Sequence, residues 1–208
     1  MLAIIDYGVG NLFSLARSLD YLQVECKVTQ SLAELQRAER IILPGVGAFG
    51  DAKQKLEELS LVEPIKELAA SGKPFLGICL GMQLLFDESD EFGQHQGLGL
   101  IPGKIVSMKA AFEAEQIDLK VPQIGWNQLR IKNTASPLVQ GLSESDFVYY
   151  VHSHYASDCQ ESLVADSEYG LSIPGIVENK NVYGTQFHPE KSGDVGLKIL
   201  KAFTEVPV

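Results

Sequence analysis

The first half of the chain alternates short apolar runs with amphipathic segments, and this alternation constrains the fold more than any other feature. Apolar runs that predict buried strands lie at residues 2–5, 24–28, 40–43 and 75–78. Helical patterns lie between them: Asn11 can cap the first helix, Pro64 marks a break in a later one and Gly72 a stop. Strands that alternate with helices imply right-handed crossovers and a mostly parallel, doubly wound sheet flanked by helices. The chain is therefore predicted to be an α/β protein.

The second half of the chain is richer in strands. Strands are predicted at residues 104–108, 126–131, 147–152, 162–165, 176–178 and 182–187, and a closing helix at 194–203. We expect these later strands to include antiparallel pairs. No internal repeat or linker is visible, and 208 residues are enough for one full-sized core and few for two. A single domain over residues 1–208 is therefore predicted.

Composition narrows the possible classes of function. With 17 Lys and Arg against 27 Asp and Glu, the formal net charge is -10. This charge argues against binding to a nucleic acid, because proteins that bind the phosphate backbone need clustered basic residues. No apolar run approaches the ~18 residues of a membrane-spanning helix, and no targeting segment is visible. The three cysteines fit neither a disulfide framework nor a zinc site, so we expect a reducing, cytoplasmic setting and no metal.

Cys79 lies in the most informative short motif of the chain, Gly77-Ile78-Cys79-Leu80-Gly81. An apolar run leads into the motif and a helical pattern leads out, which is the layout of a nucleophile elbow with Cys in the place of Ser. Such a turn needs small flanking residues. It lifts the side chain to the first turn of a helix, where the helix dipole favours a thiolate. The alternative is a core cysteine, since free cysteines are among the most buried residues.

His188 and Glu190 are the predicted partners of Cys79. A histidine at the end of a strand can accept the thiol proton and later protonate a leaving amine. A carboxylate such as Glu190 can hold the tautomer of that histidine. Two alternatives stay open. In the first, His188 is only a surface residue in a turn. In the second, the base comes from the end of another predicted strand, which carries His152 and His154.

A glycine-rich turn, Pro44-Gly45-Val46-Gly47, follows the third predicted strand. Such a turn can direct backbone N–H groups toward a developing oxyanion, and the loss of one such donor costs other acyl-transfer enzymes about 3 kcal/mol. The turn is not a P-loop, because no Gly-Lys-Ser/Thr sequence follows it. The alternative is an ordinary connection between a strand and a helix.

Three segments in order resemble the signatures of class I (triad) glutamine amidotransferases, namely residues 44–47, 77–83 and 186–192. The resemblance extends over essentially the whole chain. It implies the fold of that family and the hydrolysis of L-glutamine to glutamate and ammonia through a Cys thioester. It also implies that Cys79 attacks the side-chain amide, that His188 acts as base and then as acid, and that Glu190 orients His188. No cofactor is implied.

The resemblance further implies two sets of binding residues. The backbone N–H groups of an oxyanion hole come from Val46, Gly47 and Leu80. The glutamine head group is bound by Gln83, Glu91 and the backbone of Ser153 and His154, with Gly45 and Gly47 lining the pocket. Glu91 suits the α-ammonium group of the substrate, but it is also one of several acids in residues 87–91. His154 stands where the family often has Tyr, which is a mild change if the contact is made through the backbone.

Within the family, the chain is most similar to the glutaminase subunits of imidazole glycerol phosphate synthase. This similarity is carried by residues 6–12, 46–50, 121–127 and 150–153. It implies a heterodimer with a HisF-type (β/α)8 cyclase subunit, which uses the ammonia to form imidazole glycerol phosphate and aminoimidazole carboxamide ribotide in histidine biosynthesis. The residues implied at the interface are Asn11, Gln123, Trp126 and Lys191. Gln123 stands where the family often has His, and Trp126 is alternatively a core residue.

Three other functions stay open on the sequence alone. The chain could be the glutaminase subunit of another amidotransferase, or it could act alone as a γ-glutamyl hydrolase with the same elbow. It could also be a catalytically silent binding subunit that keeps the fold. The presence of Cys79, His188 and Glu190 argues against a silent subunit.

Overall fold

A computed structural model describes all 208 residues. Its strands are β1 (Leu2–Ile5), β2 (Cys26–Thr29), β3 (Arg40–Gly45), β4 (Phe75–Cys79), β5 (Glu88–Ser89), β6 (His95–Gln96), β7 (Lys104–Ser107), β8 (Gln123–Gln128), β9 (Arg130–Ile131), β10 (Phe147–His152), β11 (His154–Ser157), β12 (Leu163–Tyr169), β13 (Leu171–Asn179) and β14 (Val182–Thr185). Its α-helices are α1 (Leu12–Tyr21), α2 (Leu32–Arg37), α3 (Phe49–Glu58), α4 (Val62–Ala70), α5 (Leu80–Leu84), α6 (Met108–Glu115) and α7 (Gly193–Glu205).

The main sheet has eight strands in the order β2-β1-β3-β4-β14-β13-β12-β9. The first five strands in this order are parallel to one another, and the remaining pairs are antiparallel. Two smaller sheets, β10-β8 and β11-β7-β5-β6, come from the second half of the chain. The predicted α/β class is confirmed, with a mostly parallel sheet and antiparallel pairs in the second half.

The parallel part of the sheet is buried on both faces, as its continuous apolar strands require. Alternate residues of β1 enter different cores, because side chains of a strand point to opposite faces. Ala3 and Ile5 pack with residues of α2, α3 and α4, whereas Leu2 and Ile4 pack with residues of α1 and α7. Helices therefore cover both faces of the sheet, which is the doubly wound arrangement.

Several predicted boundaries differ from the structure for identifiable reasons. The break between α3 and α4 lies at Ser60, which has a φ of +55°, and not at Pro64. Pro64 instead lies in the first turn of α4, where a missing backbone N–H costs little. Gly72 follows the end of α4 with a φ of +90°, as predicted for a helix stop. The strand predicted at 126–131 begins earlier, at Gln123, and is interrupted at Leu129.

The carboxyl ends of β3, β4 and β14 lie side by side, and they position the predicted site. In the register of the sheet, Gly45 pairs with Cys79 and Thr185 pairs with Ile78. Parallel strands present their carboxyl ends at one edge, which is where α/β proteins place their sites. The glycine-rich turn, the elbow and the segment of His188 therefore meet there.

Candidate active site

Cys79 forms a sharp turn between β4 and α5. Its φ of +55° and ψ of -112° are unusual for a residue with a side chain, and such strain clusters at functional sites. The flanking glycines allow the turn, because a Cβ on Gly77 would lie 2.6 Å from Gly81 O and a Cβ on Gly81 would overlap Leu43 O. The local geometry is therefore that of a nucleophile elbow.

His188 lies beside the thiol of Cys79. It follows β14, the direct neighbour of β4, and its imidazole lines the same cavity as the Cys79 side chain and interacts with it. Its Nδ1 lies 2.8 Å from Glu190 Oε1, and the side chains of His188 and Glu190 are 3% and 2% exposed. The structure therefore brings Cys79, His188 and Glu190 together, with a hydrogen bond between His188 and Glu190, and His188 is not a surface residue.

The alternative base, His152, has a different environment. Its Nδ1 lies 2.8 Å from the backbone oxygen of His154, and its Nε2 is buried without a hydrogen-bond partner. Burial lowers the pKa of His152 to about 4, so this imidazole is neutral at pH 7. Burial also acts to lower the pKa of His188, but hydrogen bonds to Cys79 and Glu190 outweigh it and raise the pKa to about 10. His188 is therefore the histidine that holds a proton next to the thiol.

A cavity of about 420 Å³ opens at this edge of the sheet. It contains both Cys79 and His188, and its other lining residues are Val46, Gly47, Leu80, Gln83, Glu91, Pro122, Val151, His152, Ser153, His154 and Lys191. Most of the substrate-binding residues predicted from the sequence thus share one space with the thiol. Gly45 is the exception.

Gly45 packs behind the elbow and does not line the cavity. A Cβ at this position would lie 2.7 Å from both Gly81 N and Tyr7 Oη. The absence of a side chain lets β3 approach the first turn of α5 closely. The predicted role of Gly45 in lining the pocket is corrected to a packing role that makes room for the elbow.

The predicted oxyanion hole has unpaired donors at the expected place. Leu80 is the first residue of α5, so its N–H has no acceptor within the helix. The N–H groups of Val46 and Gly47 form no hydrogen bond within the protein, and Gly47 has a φ of +100°. All three residues line the cavity. The arrangement provides backbone donors for a developing negative charge.

Glu91 and Gln83 are held in place by neighbouring groups. Glu91 Oε2 accepts a hydrogen bond from Phe49 N at 2.7 Å, and Oε1 lies 3.3 Å from His154 Nδ1. Burial opposes ionisation of Glu91, but these hydrogen bonds outweigh it and lower its pKa. Gln83 Nε2 donates to His154 O and to Gln186 Oε1, both at 3.0 Å. The cavity therefore contains both the thiol and a fixed, ionised carboxylate.

Gln186 is a neighbour of the thiol that sequence reasoning missed. Its side chain is fully buried, and its Nε2 donates to Cys79 Sγ at 3.9 Å. The residue stands two positions before His188, inside the motif that carries the family resemblance. Its place in that motif was the only available signal, because its contact with Gln83 joins residues far apart in the sequence.

The four predicted interface residues occupy different environments. Trp126 is 53% exposed, which places it at the surface and not in the core. Lys191 is also exposed, at the rim of the cavity. Gln123 is fully buried, with its Nε2 donating to Asn127 Oδ1 at 2.9 Å, so its expected place on an interface is corrected to an internal one. Asn11 is half-buried beside Glu190.

The other cysteines and acidic residues form neither a second thiol–histidine pair nor a metal site. All three cysteines, Cys26, Cys79 and Cys159, are free thiols, and Cys79 is the one that interacts with His188. No three His, Cys, Asp or Glu side chains are grouped to hold a metal ion. None of the helices combines the length and the apolar character needed to cross a membrane.

Comparison with known proteins places the chain in a family. Residues 3–205 match the family described as glutamine amidotransferase class-I. The chain is 50% identical over 207 residues to the "Imidazole glycerol phosphate synthase subunit HisH" of Bacillus cereus (strain B4264), covering 99% of this chain and 95% of the relative. It is 47% identical over 206 residues to the protein of the same name from Listeria monocytogenes serotype 4a (strain HCC23), covering 99% and 96%.

Solved structures agree with this placement at the level of the fold. A crystal structure described as a glutamine amidotransferase matches with a TM-score of 0.73 and 17% identity, covering 97% of this chain and 98% of the other. The structure of PurLQS from Thermotoga maritima matches with a TM-score of 0.73 and 19% identity, covering 98% and 96%. The chain belongs to the class-I glutamine amidotransferase family, in the group that contains these HisH subunits.

Proposed function

We propose that the chain is the glutaminase subunit of an imidazole glycerol phosphate synthase, which hydrolyses L-glutamine to glutamate and ammonia. One observation carries the chemistry: the Cys79 thiol lies beside His188, which is hydrogen-bonded to Glu190, in a cavity with unpaired backbone donors. The names of relatives that are about half identical over nearly their whole length support the choice of synthase.

The first half of the reaction forms a thioester. Cys79 Sγ attacks the side-chain amide carbon of glutamine as the thiol proton passes to His188, and the oxygen becomes an oxyanion held by the N–H groups of Leu80 and Gly47. His188, whose raised pKa favours the protonated imidazole, then gives this proton to the leaving nitrogen. The C–N bond breaks, ammonia leaves, and the acyl group remains on sulfur.

The second half of the reaction releases glutamate. His188 is now neutral and accepts a proton from a water molecule, whose oxygen attacks the thioester carbon. The C–S bond breaks, and the sulfur and the imidazole return to their starting state. Throughout both halves, Glu190 Oε1 faces His188 Nδ1, which holds the ring orientation and stabilises the imidazolium.

Glu91 is the group best suited to the α-ammonium of glutamine. Its carboxylate is fixed by Phe49 N and His154, and its lowered pKa keeps it ionised. A charge-assisted hydrogen bond to an ammonium group is stronger than a neutral one. The backbone of Ser153 and His154, which lines the same cavity, completes the binding of the head group.

The partner is a HisF-type (β/α)8 cyclase subunit in a heterodimer. The ammonia passes to this subunit, which forms imidazole glycerol phosphate and aminoimidazole carboxamide ribotide. Support comes from the word "subunit" in the relatives' names and from the exposed Trp126 and Lys191. Exposed tryptophans are frequent anchors of interfaces. The free thiols suit a reducing cytoplasm.

The proposal is tested by measuring glutamate formation with and without a HisF-type cyclase subunit. We expect low activity of the chain alone, strong stimulation by the partner, and cyclase product formed at the same rate as glutamate. Cys79→Ala should reduce glutamate formation to background, whereas Cys26→Ala, which removes a thiol outside the cavity, should leave it unchanged. Full activity on larger γ-glutamyl substrates without any partner would instead identify a stand-alone hydrolase.

A further inference from the structure

Asn11 occupies the position before α1, but its side chain does not cap the helix. Asn is one of the preferred residues at such positions, because its side-chain oxygen can accept a backbone N–H. The backbone oxygen of Asn11 accepts from Leu15 N at 3.2 Å, yet its side chain forms no capping bond. Its φ of -87° and ψ of 62° also lie outside the extended region usual for a cap. Helix capping therefore does not account for this side chain.

The amide group of Asn11 contacts the carboxylate of the triad instead. Nδ2 donates to Glu190 Oε1 at 3.3 Å, the same oxygen that lies 2.8 Å from His188 Nδ1. Glu190 Oε2 is buried and has no hydrogen-bond partner. Asn11 is thus the only residue besides His188 whose side chain is hydrogen-bonded to Glu190. A buried carboxylate depends on the few donors it has, so this bond restricts its orientation.

The contact joins distant parts of the sheet. Asn11 follows β1, whereas Glu190 follows β14, and two strands separate β1 from β14. Asn11, Gly45, His188 and Glu190 line one small internal space beneath the elbow. The bond therefore ties the carboxylate to the start of α1, in an internal space that is separate from the substrate cavity.

We propose that Asn11 is a positioning residue of the glutaminase, holding Glu190 so that its carboxylate orients the His188 imidazole toward Cys79. A neutral amide suits this role, because a Lys or Arg side chain would compete with His188 for the carboxylate. An amide donates one hydrogen bond and leaves the negative charge available to the imidazolium. This role rests on the proposed function and adds to it a residue that does not touch the substrate.

Two substitutions separate positioning from helix capping. Ser and Asp are, like Asn, preferred before a helix, but Ser is too short to reach Glu190 and Asp has no donor to offer. With the partner present, Asn11→Ser should lower kcat for glutamine hydrolysis about tenfold with KM within about twofold. Asn11→Asp should lower kcat further, because it places a like charge beside Glu190. Both variants should stay folded at the assay temperature, although Glu190 loses a donor and the thermal unfolding midpoint should fall by roughly 5 °C.

Ser31 provides a matched control. It precedes α2 and, like Asn11, forms no side-chain capping bond. Ser31→Ala should leave kcat and KM unchanged. Wild-type kcat in both Asn11 variants would overturn the inference, and so would a rise in KM at constant kcat, since that result would make Asn11 a binding residue.

Alkylation of Cys79 by iodoacetamide gives a second readout that does not need glutamine. The mass of the Cys79 peptide follows the reaction separately from those of Cys26 and Cys159. Both Asn11 variants should alkylate about fivefold more slowly than the wild type, because a displaced imidazole no longer supports the thiolate. Slower alkylation in a chain that hydrolyses no glutamine would sustain the positioning role and contradict the proposed function. Equal alkylation rates would contradict the positioning role.

Discussion

His188 and His152 line the same cavity, yet the imidazole of His188 is protonated at pH 7 and that of His152 is neutral. Both side chains are buried, and burial acts to lower the pKa of each. In His152 burial prevails and the pKa falls to about 4, whereas in His188 the hydrogen bonds to Cys79 and Glu190 prevail and the pKa rises to about 10. The partners of the ring, and not its depth in the protein, decide which histidine holds the proton.

The topology of the sheet supplies those partners. His188 follows β14, which is hydrogen-bonded to β4, so the imidazole arrives beside the residue that ends β4, Cys79. His152 ends β10, which pairs only with β8 in a separate ribbon, and its Nδ1 is engaged by the backbone of His154. His188 and His152 both lie at or just after the end of a strand. Because their neighbours differ, His188 can act as an acid–base group, whereas His152 is a neutral residue that lines the cavity.

The largest expected effect comes from making the same substitution at both histidines. Asn removes the imidazole at either site and leaves an amide near the position of Nδ1. His188→Asn should lower kcat/KM for glutamine about 10³-fold, the scale of a lost general acid–base group. His152→Asn should retain most of the activity. The comparison is measured by steady-state glutamate formation with the partner present, and a greater loss in His152→Asn would reverse the assignment.

A second, smaller effect concerns the carboxylate of Glu91 in the same cavity. Glu91→Gln removes the charge opposite the α-ammonium of glutamine, so KM should rise about 10- to 100-fold, with kcat much less affected. Asp90→Asn is the matched control, because Asp90 is an exposed acid in the same acidic run. Equal KM values for the two variants would show that Glu91 is no more than a member of that run.

A third effect is the dependence of stability on pH, in which the two histidines differ in sign. The pKa of His152 falls from the usual 6.5 to about 4, so between these values the unfolded chain binds a proton that the folded chain does not. The wild type should therefore lose about 2 kcal/mol of stability relative to His152→Asn between pH 6.5 and pH 5. Urea unfolding at each pH measures the difference, and parallel curves for the two proteins would contradict the neutral state of His152.

His188 should show the opposite trend. Its pKa is raised from 6.5 to about 10, so the folded chain binds more protons than the unfolded chain between these values. The stability that this group contributes is fully present below pH 6.5 and is lost as the pH rises toward 10. The advantage of the wild type over His188→Asn should therefore shrink above pH 7, in the same urea experiment.

The parallel half of the fold was predictable because its strands are buried on both faces and read as continuous apolar runs. The strand predicted at 75–78 ends in the structure at Cys79, one residue later. The antiparallel half was less predictable. The strand predicted at 176–178 spans Leu171–Asn179, because Pro174 and Gly175 weaken the strand signal in its middle. The helix Met108–Glu115 was missed altogether.

The residues of the candidate site also differ in whether the sequence could predict them. Cys79, His188 and Glu190 stand in short motifs whose residue types suit the chemistry, and the structure brings them together. The contacts of Gln186 with the thiol and of Asn11 with Glu190 join residues more than a hundred positions apart. A local sequence motif does not indicate contacts between such distant residues. The folded structure is therefore needed to show which polar side chain contacts which catalytic group.

Covalent labelling by an electrophilic glutamine analogue tests most directly whether Cys79 is the nucleophile. The masses of the three cysteine-containing peptides report where the label is attached. We expect label on Cys79 alone, protection by excess glutamine, and loss of labelling in His188→Asn. An unlabelled Cys79 at saturating analogue, or label on Cys26 or Cys159 in its place, would contradict the pairing of this thiol with His188.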